Sequence, residues 1–284
     1  MQSSSTEAHS QRYRYTYLWT NQNRAMRFQP KPRRTRSIAV AFILTIFALI
    51  LSSCEQEEPA PVQHKQGTSE QLSFLVNSGF DAEEIRLENG IFIIDDDILI
   101  SQTDVDGYIA REKESGQGRT EHYRGPYLVS DNHVTNIRFY ISSSVPSSWA
   151  TAIRGAINQW NAVNGTKLYM SESTSSSSAH TVINTSYSSQ NWVARAYLPS
   201  YNRRPGHTMT INTRYNGLSS GYKLFTIVHE MGHVFGLYHS DQKQGTFIQG
   251  TPTTDPNSVM NSYVLPWNGF TQGDIRAVQI LYPQ

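Results

Sequence analysis

One short segment constrains this chain more than any other, because it contains the pattern His-Glu-x-x-His-x-x-Gly-x-x-His. His229 and His233 are four residues apart in an otherwise apolar stretch, which places both rings on one side of a predicted helix. Gly236 can adopt the left-handed conformation that ends a helix, so the chain can turn and bring His239 back to the same point. Glu230 projects about 100° round the helix from His229. The pattern predicts three imidazoles that share one metal ion.

Three neutral imidazoles suit Zn²⁺ and leave one of its four positions open, which is typical of a catalytic rather than a structural site. Zinc lowers the pKa of a bound water to about 7. Glu230 lies close enough to take a proton from that water and to return it to a leaving amine. We therefore predict a hydrolytic site with His229, His233 and His239 as zinc ligands and Glu230 as the catalytic base.

These residues resemble the signature of the metzincin zinc metallopeptidases, in which a methionine-containing turn follows the zinc helix. Met260 stands 21 residues after His239 and would form that turn. The stretch TPTTDPNSVMN and the upstream pieces FLVNSGFD and IIDDDILIS look like the dual-action HEIGH metallopeptidase family, with Met231 where the family name has isoleucine. The resemblance implies a zinc-dependent endopeptidase that hydrolyses protein or peptide substrates.

Three further features are open to more than one interpretation. Some metzincins carry a zinc-reaching tyrosine two residues after the turn methionine, but Tyr263 is three residues after Met260. We expect no ligand there, and Tyr263 either stabilises an oxyanion or only packs. Asp241 either orients a ligand histidine or lies on the surface. The run from Asp95 to Asp97 suggests a carboxylate that binds the zinc of a latent precursor.

The N-terminal part predicts export. Basic residues between Lys31 and Arg36 precede an apolar run from Ile38 to Leu51, which is shorter than the roughly 20 residues of a membrane span and is typical of a signal peptide. Leu-Ser-Ser-Cys54 resembles the bacterial lipobox, which implies a lipid anchor on Cys54 and an envelope lipoprotein of the outer membrane, exposed at the surface. An uncleaved signal anchor is the alternative, and Met26 is an alternative start.

Composition limits the partners and the number of domains. Removing residues 1–53 leaves 16 basic and 22 acidic side chains, so no basic patch favours nucleic acid, and we expect a monomer. The chain can bury one core and a small accessory unit. We predict four parts: a signal peptide with an extended basic leader at 1–53, a flexible tether at 54–70, a pro-region and linker at 71–120, and a metzincin catalytic domain at 121–284.

The periodicity of the catalytic part predicts an α+β fold, and the resemblance implies that this fold is of the metzincin-like zincin type. It has a twisted mixed sheet, a long helix at 148–163, the zinc-binding helix and a small C-terminal subdomain after Gly236. Strands are predicted at 136–145, 167–170, 181–186 and 208–212, with an edge strand near Val182–Ser186 that aligns an extended peptide. Residues 102–134 are predicted to be a linker or cleavable loop.

Two other functions compete with the peptidase. A surface binding lipoprotein would keep the zinc helix as a scaffold and lose catalysis, but the intact Glu230 argues against it. A polysaccharide-binding or adhesion module would need exposed aromatic rows. Trp149 and Trp160 fit the buried face of a helix better.

Overall fold

The computed structural model describes residues 67–115, 124–125, 127–242 and 244–284. The predicted signal peptide, Cys54 and most of the predicted tether lie outside the described residues. Among the described helices, none combines the length and the apolar character needed to cross a membrane.

The described part of the chain contains six α-helices and eight β-strands. The helices are α1 (Ser69–Asn77), α2 (Gln102–Ser115), α3 (Asp131–Val134), α4 (Ser147–Asn161), α5 (Ser220–Phe235) and α6 (Gln272–Leu281). The strands are β1 (Ile85–Glu88), β2 (Ile91–Ile94), β3 (Ile98–Ser101), β4 (Ile137–Ile141), β5 (Met170–Ser173), β6 (Thr181–Ser186), β7 (Ala194–Tyr197) and β8 (Thr208–Asn212).

All eight strands form one mixed sheet in the order β1-β2-β3-β7-β8-β6-β4-β5. The β1–β2, β2–β3 and β7–β8 pairs are antiparallel, and the other four pairs are parallel. Helices pack on this sheet, so the α+β prediction is confirmed. The predicted edge strand near Val182–Ser186 is wrong, because β6 lies inside the sheet between β4 and β8. The strand that borders the N-terminal residues is β7.

Helix α4 fixes the position of α5, which carries the histidine pattern. Trp149, Ile153, Ala156, Ile157 and Trp160 recur every three or four residues and are all buried. The Trp160 indole donates a hydrogen bond to the carbonyl of Val228 at 3.1 Å, one residue before His229. A buried indole whose N–H is hydrogen-bonded contributes apolar packing and also fixes how the two helices are oriented. Helix α4 therefore determines where the histidines of α5 lie.

The described residues bury two separate apolar clusters. Every member of the larger cluster lies between Leu128 and Tyr282, so the predicted catalytic part has a core of its own. The smaller cluster belongs to residues 67–115, which we name the N-terminal unit. Only Leu198 and Tyr238 among its buried members come from elsewhere, and partly buried Tyr127 and Tyr201 pack against it. The N-terminal unit therefore buries an apolar cluster largely of its own, while its strands β1 to β3 continue the sheet of the catalytic part.

The prediction that residues 102–134 form a linker is wrong for its first part, because Gln102–Ser115 is helix α2. The polar composition of this segment is typical of a linker, and the sequence therefore did not predict the helix. One face carries Val105 and Tyr108, which are buried in the smaller cluster, and the other face is solvated. The strand predicted at 167–170 is also shifted, since β5 begins only at Met170.

Candidate metal centre

Helix α5 ends as the pattern requires. Gly236 follows its last residue with a φ of 109°, in the left-handed region that favours glycine. The Gly236 amide donates to the carbonyls of Gly232 and His233, and the Leu237 amide donates to Gly232. A side chain on Gly236 would also meet Leu128 and the Tyr127 carbonyl at 3.3 Å. This sharp exit returns the chain towards the helix and brings His239 beside His233.

Three imidazoles meet in the buried interior. The Nε2 atoms of His229 and His233 are 3.0 Å apart, and the rings of His233 and His239 have centroids 5.0 Å apart. Ligand atoms of His229, His233, His239 and Asp97 all lie within 4.8 Å of one another. The structure thus brings the three predicted ligands together and adds a carboxylate from the N-terminal unit.

The Nδ1 atom of each ring has an acceptor that turns the ring towards the cluster. His229 Nδ1 lies 2.8 Å from the Val259 carbonyl, and His233 Nδ1 lies 2.8 Å from the Leu237 carbonyl. His239 Nδ1 lies 3.3 Å from Asp95 Oδ2. An acceptor at Nδ1 fixes the proton there and leaves Nε2 free to bind a metal. The arrangement is that of a preorganised set of metal ligands.

Asp97 enters the site from the turn between β2 and β3. It is 1% exposed, and its Oδ2 lies 3.1 Å from His239 Nε2 and 3.5 Å from His229 Nε2. Among the described residues, nothing offers a hydrogen bond to its second oxygen, Oδ1. A buried carboxylate is costly unless a cation or donor compensates it, so the histidines and their metal are its natural partners.

The electrostatics of the cluster favour positive charge at its centre. Burial acts to raise the pKa of Asp97, but the charge of His239 and hydrogen bonds from His229 and His239 hold that pKa well below its usual range. Burial acts to lower the pKa of His239, but Asp97 and Asp95 raise it well above its usual value. Burial, with the charges of His229 and His239, lowers the pKa of His233. A bound cation would satisfy the same carboxylate.

Glu230 is buried beside the cluster. Within the described part of the chain, neither of its carboxylate oxygens has a hydrogen-bond partner. Burial and the negative charge of Asp97 raise the pKa of Glu230 well above its usual value. Among the described residues, one oxygen of Asp97 and both oxygens of Glu230 lack a hydrogen-bond partner. These carboxylates beside three oriented imidazoles fit a zinc ion, which prefers nitrogen and oxygen donors in tetrahedral sets. The residues present therefore suit zinc.

The turn that contains Met260 closes the other side of the site. A side chain built on Gly232 would come within 2.4 Å of Met260 Sδ, so the thioether lies directly against α5. The Met260 carbonyl accepts from the Ser240 amide at 2.8 Å. Asp274, the third residue of α6 and a member of its capping box, accepts from Ser258 Oγ at 2.6 Å and from the Val259 amide at 3.1 Å. The C-terminal helix thus holds the turn whose carbonyl orients His229.

The structure separates the two interpretations of Asp241. Its carboxylate accepts from the amide and the hydroxyl of Ser262, at 3.0 and 2.8 Å, and it does not orient a ligand ring. Asp241 is exposed, and the acceptors at the Nδ1 atoms of the three ligand rings are other groups, so the interpretation of Asp241 as a surface residue fits the structure. Tyr263 is half-buried, and its role as an oxyanion helper stays a prediction.

Sequence reasoning missed several contributors to the site. The carbonyls of Val259 and Leu237 are main-chain groups and carry no residue-type signal. Asp274 forms a capping box with Thr271 at the start of α6, and the residue type gives no signal of its contact with the Met260 turn. Asp95 and Asp97 were noticed as a run, but their contacts with His239 cross more than 140 positions of sequence.

The chain is similar to known proteins in sequence and in structure. The family model described as dual-action HEIGH metallo-peptidase matches residues 93–282. A hatching enzyme zinc-protease of the Medaka fish Oryzias latipes, high choriolytic enzyme 1, is similar at 19% identity over 55% of this chain and 93% of that chain, with a TM-score of 0.38. Two structures of myroilysin are similar at 13% identity, over 53% and 52% of this chain and 84% and 93% of theirs, each with a TM-score of 0.39. No curated protein matches the chain significantly.

Proposed function

The chain belongs to the dual-action HEIGH metallopeptidase family, and we propose that it is an exported zinc endopeptidase in which Glu230 is the general base. Membership makes it a zinc-dependent metallopeptidase that acts on proteins or peptides. The observation that carries the finer proposal is the convergence of three oriented imidazoles beside a buried carboxylate without a hydrogen-bond partner in the described chain.

The residues of the site have separate roles in hydrolysis. His229, His233 and His239 would hold the metal through Nε2. When bound, zinc supplies Lewis-acid chemistry that polarises a carbonyl and lowers the pKa of a water. Glu230 takes the proton from the attacking water on one carboxylate oxygen and gives it to the nitrogen of the leaving amine. Met260 packs against α5 next to the ligand histidines, and Tyr263 remains a candidate for stabilising the oxyanion.

Replacing Glu230 with glutamine is expected to lower peptide hydrolysis by about 10²- to 10⁴-fold, because the amide keeps the shape but cannot accept the proton. Zinc content should stay at one ion per chain, since Glu230 is not proposed as a ligand. The assay uses unfolded casein and a mixed peptide library with purified chains 55–284 and 121–284. The shorter chain is included because its apolar core is its own.

Glu172→Gln is the control for that experiment, since Glu172 is exposed in a surface pair with Arg154 and should leave hydrolysis unchanged. Zinc in every protein with cleavage by none, in either chain length, would contradict the peptidase proposal. That result would favour the runner-up, a surface binding lipoprotein that retains the zinc helix as a scaffold. The elution volume of the same preparations tests whether the protein is a monomer.

We also propose that Cys54 carries a lipid anchor that holds the protein at the bacterial outer membrane, facing outwards. The support is the sequence: a basic segment, a short apolar run and Leu-Ser-Ser before the chain's single cysteine. In a bacterial host, Cys54→Ser is expected to abolish incorporation of labelled palmitate and to remove the lipidated mature form. Equal labelling of the Cys54→Ser chain would contradict the anchor, and an unlabelled wild type at full length would favour the uncleaved signal anchor.

A further inference from the structure

We propose that Arg138, His180, His133 and Arg204, which we name the cationic cluster, form a binding site for a phosphate group. The cluster lies at the start of β4 and β6, and β7 and β8 separate these two strands from β3. The phosphate group is either free in solution or carried by a lipid headgroup. The inference goes beyond the proposed function, because it uses none of the residues of the metal centre.

The pairing of β4 with β6 brings Arg138 and His180 together. Phe139 and Thr181 are partners in this parallel pair, so the residues before them are neighbours on one face of the sheet. The His180 amide donates to the Arg138 carbonyl at 2.8 Å, and the Arg138 amide donates to His180 Nδ1 at 3.1 Å. Arg138 Nε donates to the Ser178 carbonyl at 2.6 Å. These bonds hold both side chains in defined orientations.

The same hydrogen bonds leave two donors facing each other. A main-chain amide can only donate, so His180 Nδ1 is the acceptor and the proton of the neutral ring lies on Nε2. Arg138 Nη2 lies 3.2 Å from that Nε2 atom, and a guanidinium has donors and no acceptor. The two N–H groups cannot bond to each other, whereas one oxyanion can accept from both. The geometry of the pair therefore favours a bound anion.

Positive charge surrounds the His180 ring. The ring of His133 lies 5.0 Å from it, centroid to centroid. Burial, with the charges of Arg138, His133 and Arg204, lowers the pKa of His180 to about 4. The ring is therefore neutral at pH 7, as its hydrogen bonds require, and the charges that keep it neutral are those that would attract an anion.

Few acidic groups compete for the cluster. Among the described residues, no carboxylate forms an ion pair with Arg138 or Arg204. Asp131, on the same short helix as His133, pairs with Lys167 at 2.8 Å. Arg204 is exposed, and the other three side chains of the cluster are partly exposed. A ligand can therefore reach these donors from solvent.

The chemistry of the cluster selects a phosphate group over a metal ion or a carboxylate. Two histidine rings so close together could hold a cation, but the permanent charge of Arg138 lies 3.2 Å from His180 Nε2 and repels one. A phosphate group carries about −1.5 to −2 charges at pH 7 and three acceptor oxygens. These match the two arginine charges and the ring N–H, whereas a carboxylate has one charge and two oxygens.

The first test measures the binding of inorganic phosphate to the zinc-loaded chain 55–284 by isothermal titration calorimetry. We expect a dissociation constant on the order of 1 mM. Arg138→Gln and Arg204→Gln should each weaken binding by about 10-fold, because each removes a charge-assisted hydrogen bond. Arg204 is exposed, so its replacement leaves the fold intact. Arg276→Gln, at an exposed arginine of α6, is the matched control and should bind phosphate as the wild type does.

The second test follows the ring of His180 in the wild type by NMR and needs no substitution. Phosphate should raise the pKa of His180 from about 4 towards its ordinary value of 6.5, because an adjacent anion stabilises the charged ring. The ring of His207, which lies outside the cluster beside Tyr197, is the internal comparison and should not respond.

Vesicles distinguish the two sources of the phosphate group. The chain is sedimented with phosphatidylcholine vesicles that contain or lack phosphatidic acid. Retention that requires phosphatidic acid and is lost in Arg204→Gln supports a lipid headgroup as the ligand. Binding of inorganic phosphate without retention on vesicles supports free phosphate.

Two results would overturn the inference. One is the absence of both phosphate binding and vesicle retention in the wild type. The other is phosphate binding that neither arginine variant weakens and that leaves the pKa of His180 unchanged, because the phosphate would then lie elsewhere, such as at the metal. Peptide hydrolysis enters none of these measurements, so a failure of the peptidase proposal would not affect them.

Discussion

The His239→Ala chain is expected to lose its zinc and all measurable peptidase activity. His239 is fully buried and is the one proposed ligand that lies beyond the end of α5. Structural zinc sites bind with about 10 to 16 kcal/mol in all, so removing one of their ligands costs on the order of 3 kcal/mol, or about 100-fold in affinity. Alanine also leaves Asp97 without its closest imidazole, at 3.1 Å in the intact chain.

The measurement is zinc per chain after dialysis against a weak chelator, followed by hydrolysis of the peptide library. His207→Ala is the matched control, because His207 is exposed, outside the cluster and close to the ring of Tyr197. It should keep one zinc ion and full activity. A His239→Ala protein that retained both would show that two histidines of α5 and other groups hold the metal, and it would remove His239 from the site.

The Gly206→Ala chain is expected to be destabilised by about 3 kcal/mol or more, enough to lower the melting temperature by about 10 °C. A β-carbon on Gly206 would lie 1.7 Å from the Tyr197 carbonyl oxygen, and no rotamer change can move a main-chain atom. The same residue ties three elements together. Its amide donates to Val234 of α5 at 3.0 Å, and its carbonyl accepts from Thr181 of β6 at 2.7 Å.

Gly217→Ala provides the comparison for Gly206. A β-carbon there meets nothing within 4 Å, so the free energy of unfolding should change by less than about 0.5 kcal/mol. Urea titrations of both variants, followed by tryptophan fluorescence, measure the difference. If the two variants unfolded at the same urea concentration, the close approach of Gly206 to β7 would have no energetic consequence, contrary to the prediction.

Features with a local cause could be predicted from the sequence. The end of α5 depends on one glycine, and the capping box of α6 depends on Thr271 and Asp274 three residues apart. Strands β6 and β8 begin and end where their alternation predicts. In each of these cases the residues that specify the structure are neighbours along the chain.

Features that depend on distant partners could not be predicted in the same way. Strand β7 is short, and its place beside β3 depends on residues almost a hundred positions earlier. Helix α2 is polar overall and becomes ordered through Tyr108, whose hydroxyl donates to the Pro199 carbonyl. Nothing in the sequence distinguishes Asp97 from Asp95 or Asp96. Only the geometry of the turn places Asp97 beside the histidines.

The acceptors that orient the three histidines differ in how sensitive they are to mutation. Val259 and Leu237 serve His229 and His233 through main-chain carbonyls. Any residue at those two positions supplies the same acceptor, so these two imidazoles are robust to sequence drift there. His239 instead depends on the side chain of Asp95 in the N-terminal unit. A single substitution at position 95 can therefore weaken metal binding by His239 while His229 and His233 remain in place. We expect sequence change to disturb the orientation of His239 before that of the other two ligands.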